Sequence, residues 1–140
     1  MEQLCTFNVE QLFVGIEISQ IQEILHMPPL TEVPLAPDGV SGLMSLRGQI
    51  VPVVSLRRRL GLPGAPQEAE QFVVLIRTDD GPVSLIVDHV GDVLEVDDTL
   101  FEPVPDTLRG ELRAFLRGAY KMEPKLLLSL NAKAAVSLAT

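Results

Sequence analysis

Tryptophan is absent from this 140-residue chain, and there is one tyrosine and one cysteine. With aromatics at only 4%, the core has to be aliphatic. A lone Cys5 excludes an internal disulfide and suits a reducing compartment. Positive charge is also scarce: 11 Lys and Arg stand against 19 Asp and Glu, a net charge of −8. Phosphate backbones and anionic membranes both reward positive charge, so neither is an expected partner. No apolar run is long enough to cross a bilayer. The start has neither the basic nor the apolar region of a secretory signal. The expectation is a soluble cytoplasmic protein.

The residue patterns of a catalyst are missing as well. His26 and His89 are far apart, and without HxxxH or CxxC no metal site is expected. There is no GxGxxG or Walker-type loop, since the Gly61–Gly64 pair lacks the following Lys and helix. There is no GxSxG elbow. Cys5 lies in an apolar run and reads as a small buried hydrophobe. Asp79-Asp80 and Asp97-Asp98 read as solvated turn formers. Neither catalytic nor cofactor-binding residues are assigned, and no enzymatic turnover is expected.

What is present is a globular composition, 46% hydrophobic and 21% charged, enough for a single domain over residues 1–140. The central stretch GLMSLRGQIVPVVSL, Gly42 to Leu56, reads as two apolar runs around a tight Arg47-Gly48 joint. Its second run is rich in β-branched residues, which fit a well-buried pleated surface. Pro52 inside that run predicts an open edge or a bulge. Arg47, the only charge in the stretch, is either a snorkelling surface residue or an attachment point for a carboxylate. Arg57, Arg58 and Arg59 read most simply as a solvated strand end, with a bidentate role for one of them as the alternative. Further strands are expected at Leu4–Val9, Phe13–Ile18, Phe72–Ile76, Val83–Val87, Gly91–Val96, Phe115–Tyr120 and Leu126–Leu130. Gly15 suggests a bulge or close packing. Met122-Glu123-Pro124 reads as a turn, 61–70 as a mobile loop, and Asn131 as the cap of a final helix. Ser19 and Gln22 have capping-box spacing, and Ile21, Ile24 and Leu25 have helical spacing, which together predict a short helix ending at Pro28-Pro29. Many short strands between turn signals make an all-β barrel or sandwich with short helices.

One internal echo stands out. GIEISQIQEIL from Gly15 and SLIVDHVGDVL from Ser84 share an ungapped apolar pattern. Ile16 answers Leu85, Ile21 answers Val90, Ile24 answers Val93, and Glu23 answers Asp92. Two similar half-barrels would explain it; so would the general likeness of any two strand–turn units.

The run GIEISQIQEIL, the T-x-x-P at Thr31 to Pro34, the long block GLMSLRGQIVPVVSLR, and SLIVDHVGDVL together resemble the CheW family of chemotaxis coupling proteins. The resemblance covers most of the chain in the expected order and is loose after Asp97. It implies two intertwined SH3-like β-barrels of about five strands each, with short helices. It implies no catalysis and no cofactor. It also implies an adaptor joining the cytoplasmic tip of a methyl-accepting chemoreceptor to the regulatory domain of a CheA-type histidine kinase, and hence residence at membrane-associated arrays only through partners. A stand-alone adaptor fits better than a fragment of a larger kinase.

Two positions depart from the family pattern: Ser45 where Asn is usual, and Ser55 where Asp is usual. Ser replaces part of a carboxylate's hydrogen bonding but not its charge. The departures fit an adaptor of a diverged pathway, controlling surface motility or a second-messenger enzyme. A barrel binding a small apolar ligand is the other alternative. For the adaptor, a helical receptor tip is expected in an apolar groove between the barrels, lined by Ile21, Ile24, Val90 and Val93. Arg47 would stand at the rim and pair with Glu23. The bland alternative makes the four aliphatics core and the two charges solvated surface. The kinase is expected on exposed strand edges and turns.

Overall fold

The computed structural model describes residues 2–37, 39–66, 68–104, 106, 111–122 and 125–137. The strands are β1 (Glu2–Val9), β2 (Leu12–Glu17), β3 (Ile21–His26), β4 (Val40–Leu46), β5 (Gln49–Ser55), β6 (Phe72–Ile76), β7 (Val83–Val87), β8 (His89–Val96), β9 (Phe101–Glu102), β10 (Leu116–Lys121) and β11 (Leu126–Leu130). One-turn helices α1 (Leu56–Arg59), α2 (Glu111–Ala114) and α3 (Ala132–Ala135) punctuate them. The expected turn at Met122-Glu123-Pro124 lies partly outside the described residues.

The strands form two sheets, ordered β8-β1-β2-β11-β10-β9 and β3-β6-β7-β5-β4. The second order maps onto the first strand for strand, up to the short β9. In each sheet a hairpin, β1–β2 or β6–β7, is flanked on one side by a strand from the other half of the chain. After β2 a 3-10 turn at Ile18–Gln20 carries the chain across, and β3 pairs with β6. After β7 the chain crosses at Asp88, and β8 pairs with β1. On the hairpin's other side, parallel neighbours match too: Val53 registers with Ser84, and Ser129 with Gly15. Gly15 and Ser84 are the first residues of the two echoed segments, so the echo is the trace of two SH3-like barrels that exchange an edge strand.

The core divides accordingly. One barrel encloses Met44, Val51, Val53, Val73, Leu75 and Ile86, and the other encloses Leu4, Val96, Tyr120 and Leu127. A larger shared layer takes Cys5, Phe7, Val14 and Ile16 from one sheet and Val54, Val74, Ile76, Leu85 and Val87 from the other. Side chains alternate across a strand, so each hairpin gives one row to its own barrel and the next to the shared layer. Both faces are apolar, which is why β7 is buried at every position. Gly15 marks close packing rather than a bulge, since a Cβ there would lie 3.1 Å from Leu4 Cδ1.

The expected helix over Ile21–Leu25 is not formed; the segment is β3, and no side chain caps the preceding 3-10 turn. The reason is a β-bulge. Ile21 registers with Ile76 and Ile24 with Val74, with a slip between them. One extra residue puts positions three apart on the same face, so a bulged strand imitates a helical period. The slip recurs in β8, where Val90 faces Phe7 and Val93 faces Cys5. In β5, pairing with β7 runs only over Val53–Ser55, so Pro52 lies outside that ladder. Ser55 caps α1 by accepting from the Arg58 N–H at 3.2 Å, and Asn131 caps α3 by accepting from the Ala134 N–H at 3.1 Å. The capping part of a carboxylate's work at position 55 is therefore retained.

Arg57 is not a solvated strand end. Its side chain is 13% exposed and grips Asp88, itself 11% exposed, with Nη2 2.7 Å from Oδ2 and Nε 3.2 Å from both oxygens. The Glu10 N–H at 2.6 Å and Gln71 Nε2 at 3.2 Å donate to the same carboxylate. Arg57 Nη1 also donates to the Pro63 carbonyl at 3.0 Å. The cluster ties the β1–β2 turn, α1, the 61–71 connection and the β7–β8 crossing together. Burial pushes the Asp88 carboxyl up, but the hydrogen bonds from Arg57, Glu10 and Gln71 outweigh it and leave the group below the usual aspartate range. A depressed folded value contributes stability above about pH 4, and that stability is lost as pH falls further toward the folded value. Asp88→Asn is expected to cost about 3 kcal/mol in urea unfolding, because it leaves Arg57 buried without a counter-charge. It should also flatten the loss of stability below about pH 4.

Candidate functional site

The crossing strands β3 and β8 are the outer strands of their sheets, each with one edge unpaired among the described residues. Ile21 and Ile24 on β3 oppose Ile76 and Val74, and Val90 and Val93 on β8 oppose Phe7 and Cys5. All four opposed residues belong to the shared layer. Directly paired residues lie on one side of a sheet, so both aliphatic pairs stand on the faces that build that layer. Ile21 and Ile24 are half-buried and packed against it, whereas Val90 and Val93 are 38% and 51% exposed. The two isoleucines are thus partly core, as the bland reading had it, and the two valines are surface.

Arg47 and Gly48 form the two-residue turn between β4 and β5, with φ of 50° and 82°. Two positive φ values are the requirement of a type I′ hairpin turn, which Gly48 meets at no steric cost. The turn aims the Arg47 guanidinium at Glu23. Nη1 donates to Oε2 at 2.8 Å and Nη2 to Oε1 at 2.6 Å, a two-pronged pair. The hydrogen bond from Arg47 holds the Glu23 carboxyl below the usual glutamate range and raises the guanidinium in turn. The Arg47 side chain stays 67% exposed and that of Glu23 27%. The pair is formed as expected, and it presents a guanidinium held in one orientation at the surface. Ile50, 67% exposed, lies on the same hairpin and was not singled out from the sequence.

Asp88 and Gln71 were also missed. A signal was available: a carboxylate directly after the apolar run Val83–Val87 is drawn inward and requires a cation. Cys5 is buried, and burial pushes its thiol up, away from the nucleophilic thiolate. Among the described residues no helix is long and apolar enough to cross a membrane.

A family model for the CheW-like domain matches residues 3–139. The chain belongs to the CheW-like domain family. It is similar to the chemotaxis protein CheW of Rhizobium meliloti, 31% identical over 125 residues that cover 89% of this chain and 81% of the relative. Similarity to CheW of Bacillus subtilis is 29% over 135 residues, covering 96% and 86%. Protein PilI of Pseudomonas aeruginosa is 29% identical over 130 residues, covering 91% and 72%. Among solved structures, the scaffolding protein TtCheW of Thermoanaerobacter tengcongensis superposes with a TM-score of 0.82 at 25% identity, over 92% of this chain and 88% of that one. The double barrel with exchanged edge strands is thus the CheW-like arrangement.

If the Glu23 carboxyl is held low by Arg47, then Arg47→Ala should return it to the ordinary glutamate range in an NMR pH titration. The melting temperature should be nearly unchanged, because the pair is largely solvated.

Proposed function

We propose that this CheW-like protein is a non-enzymatic signalling adaptor that couples methyl-accepting chemoreceptors to a CheA-type histidine kinase in bacterial chemotaxis. The whole chain acts as one domain of two interleaved barrels, in the cytoplasm and at receptor arrays through its partners. The observation that carries the reading is the CheW-like double barrel with a fixed, solvent-facing Arg47 beside the exposed margin of the shared layer. Arg47, Glu23, Ile21, Ile24, Val90 and Val93 form the receptor-binding surface. A receptor tip is a helical hairpin, and its apolar face would cover the valines while Arg47 meets a carboxylate. The kinase regulatory domain, a related double barrel by family resemblance, docks on strand edges and turns elsewhere. Ser45 and Ser55, standing where the family pattern has Asn and Asp, support a second reading, an adaptor of a diverged chemosensory pathway controlling surface motility or a second-messenger enzyme.

Arg47→Glu should leave the fold intact by circular dichroism yet weaken co-sedimentation with receptor arrays at least about tenfold, the loss expected for a central interface residue. Glu23→Ala should do less, through freeing Arg47. Full receptor binding by folded Arg47→Glu would overturn the site. Calorimetry with the cognate kinase regulatory domain should show association at tens of micromolar or tighter; no heat at that concentration would remove the adaptor reading's main support.

A further inference from the structure

The two crossing strands occupy equivalent places in the two barrels, so one shows what the other is missing. On β3, Glu23 sits at the bulge, opposite Leu75. On β8 the bulge falls between Val90 and Val93, and there the Asp92 carbonyl accepts from Thr6 Oγ1 at 2.6 Å. Thr6 and Leu75 are equivalent, because Thr6 pairs with Gly15 and Leu75 with Ser84. Asp92 is therefore the structural counterpart of Glu23, as the sequence echo also has it. The aliphatic neighbours correspond as well, Ile21 with Val90 and Ile24 with Val93.

The difference lies in the charge partner. Glu23 is met by Arg47 from the β4–β5 turn. The equivalent turn, between β10 and β11, has Glu123-Pro124 in sequence where Arg47-Gly48 stand, and the flanking Lys125 lies over the Phe13 ring, with Nζ 5.5 Å from its centroid. Asp92 is exposed, and its carboxylate has no partner among the described residues. Its neighbours Val90 and Val93 are more exposed than Ile21 and Ile24, and Glu95 on the same strand adds a second negative charge. Apart from His89, β8 has no basic side chain.

We propose that Asp92 receives a lysine or arginine from the docked receptor helix, completing on β8 the pair that Arg47 and Glu23 make on β3. The inference rests on the receptor-adaptor reading and adds the chemistry of the partner. The receptor segment over β8 is an amphipathic helix whose cation lies within a turn of the apolar residues covering Val90 and Val93. The charge pattern selects this occupant. A second copy of the chain would set Asp92 and Glu95 against like charges on a molecule of net charge −8, whereas a basic segment is complementary. With the Arg47 guanidinium held beside β3 and Asp92 on β8, a docked hairpin meets charges of opposite sign at the two strands. That would fix which way round it lies.

The test is calorimetry of the full-length protein with the cytoplasmic fragment of its cognate receptor, at low and moderate salt. Asp92→Lys should weaken binding at least about tenfold. Asp92→Asn, which keeps the shape and removes the charge, should weaken it several-fold and reduce its dependence on salt. Exchanging the receptor's basic residue for Glu should restore binding to Asp92→Lys but not to the unaltered protein. Circular dichroism should show all variants folded, since the contact to Thr6 uses the Asp92 backbone. Should Val93→Glu abolish binding while both Asp92 variants bind as the unaltered protein does, with the same salt dependence, the inference falls and the adaptor site stands. If Arg47→Glu and Val93→Glu also bind normally, the site falls and the inference with it.

Discussion

The fold depends on a layer of aliphatic side chains that belongs to neither barrel alone. Cys5, Phe7, Val14 and Ile16 meet Val54, Val74, Ile76 and Leu85 there, and no aromatic residue larger than Phe7 is among them. Each barrel surrenders an edge strand to the other, so neither sheet is complete without both halves of the chain. A small barrel of five short strands encloses little apolar surface, and a common layer increases what each barrel buries. Exchange also sets the surface, because the two crossing strands run along the margin of that layer and display what it does not enclose.

Polar groups enter this arrangement where the chain changes barrels. At the β7–β8 crossing, Asp88 collects Arg57, Gln71 and the Glu10 N–H, so a single carboxylate fixes four segments. Two side chains so nearly buried tolerate charge only because the geometry is forked and the remaining lone pairs are occupied. At the other crossing, Arg77 Nη1 donates to the Ser19 and Ile21 carbonyls at 3.0 and 2.9 Å, a lighter fastening that leaves β3 tied by backbone contacts. The surface pair of Arg47 and Glu23 is of another kind. It is open to water, contributes little to folding, and holds one guanidinium still.

The strands were legible in the sequence wherever β-branched runs met turn residues. The central hairpin, β6, β7 and the Asn131-capped helix lie where the patterns put them. The β3 segment was not legible, because a β-bulge gives apolar residues a spacing of three that reads as a helix. The echo between the two halves carries the correct answer, for SLIVDHVGDVL has β-strand character up to Val87 and again from Gly91, and GIEISQIQEIL matches it without gaps. Arg57 was hidden for a different reason: its partner lies thirty-one residues away, and nothing local in an arginine run says which member turns inward. The Glu23–Arg47 pair came from the place of Glu23 beside Ile24 in the echoed segment and from Arg47 as the lone charge of the central stretch. The unequal exposure of the two aliphatic pairs had no signal at all, since it depends on how far the shared layer extends over each edge.

The central claim is that partners are read at the margin of the shared layer, on the two crossing strands together. Methyl NMR of isoleucine- and valine-labelled protein, titrated with the cytoplasmic fragment of the cognate receptor, tests it most directly. The account predicts that the methyls of Ile21, Ile24, Val90 and Val93 shift along one common binding curve, while Val51 and Val53 inside the β4–β5 barrel stay in place. Saturable binding that moves methyls elsewhere and leaves those four unchanged would contradict it.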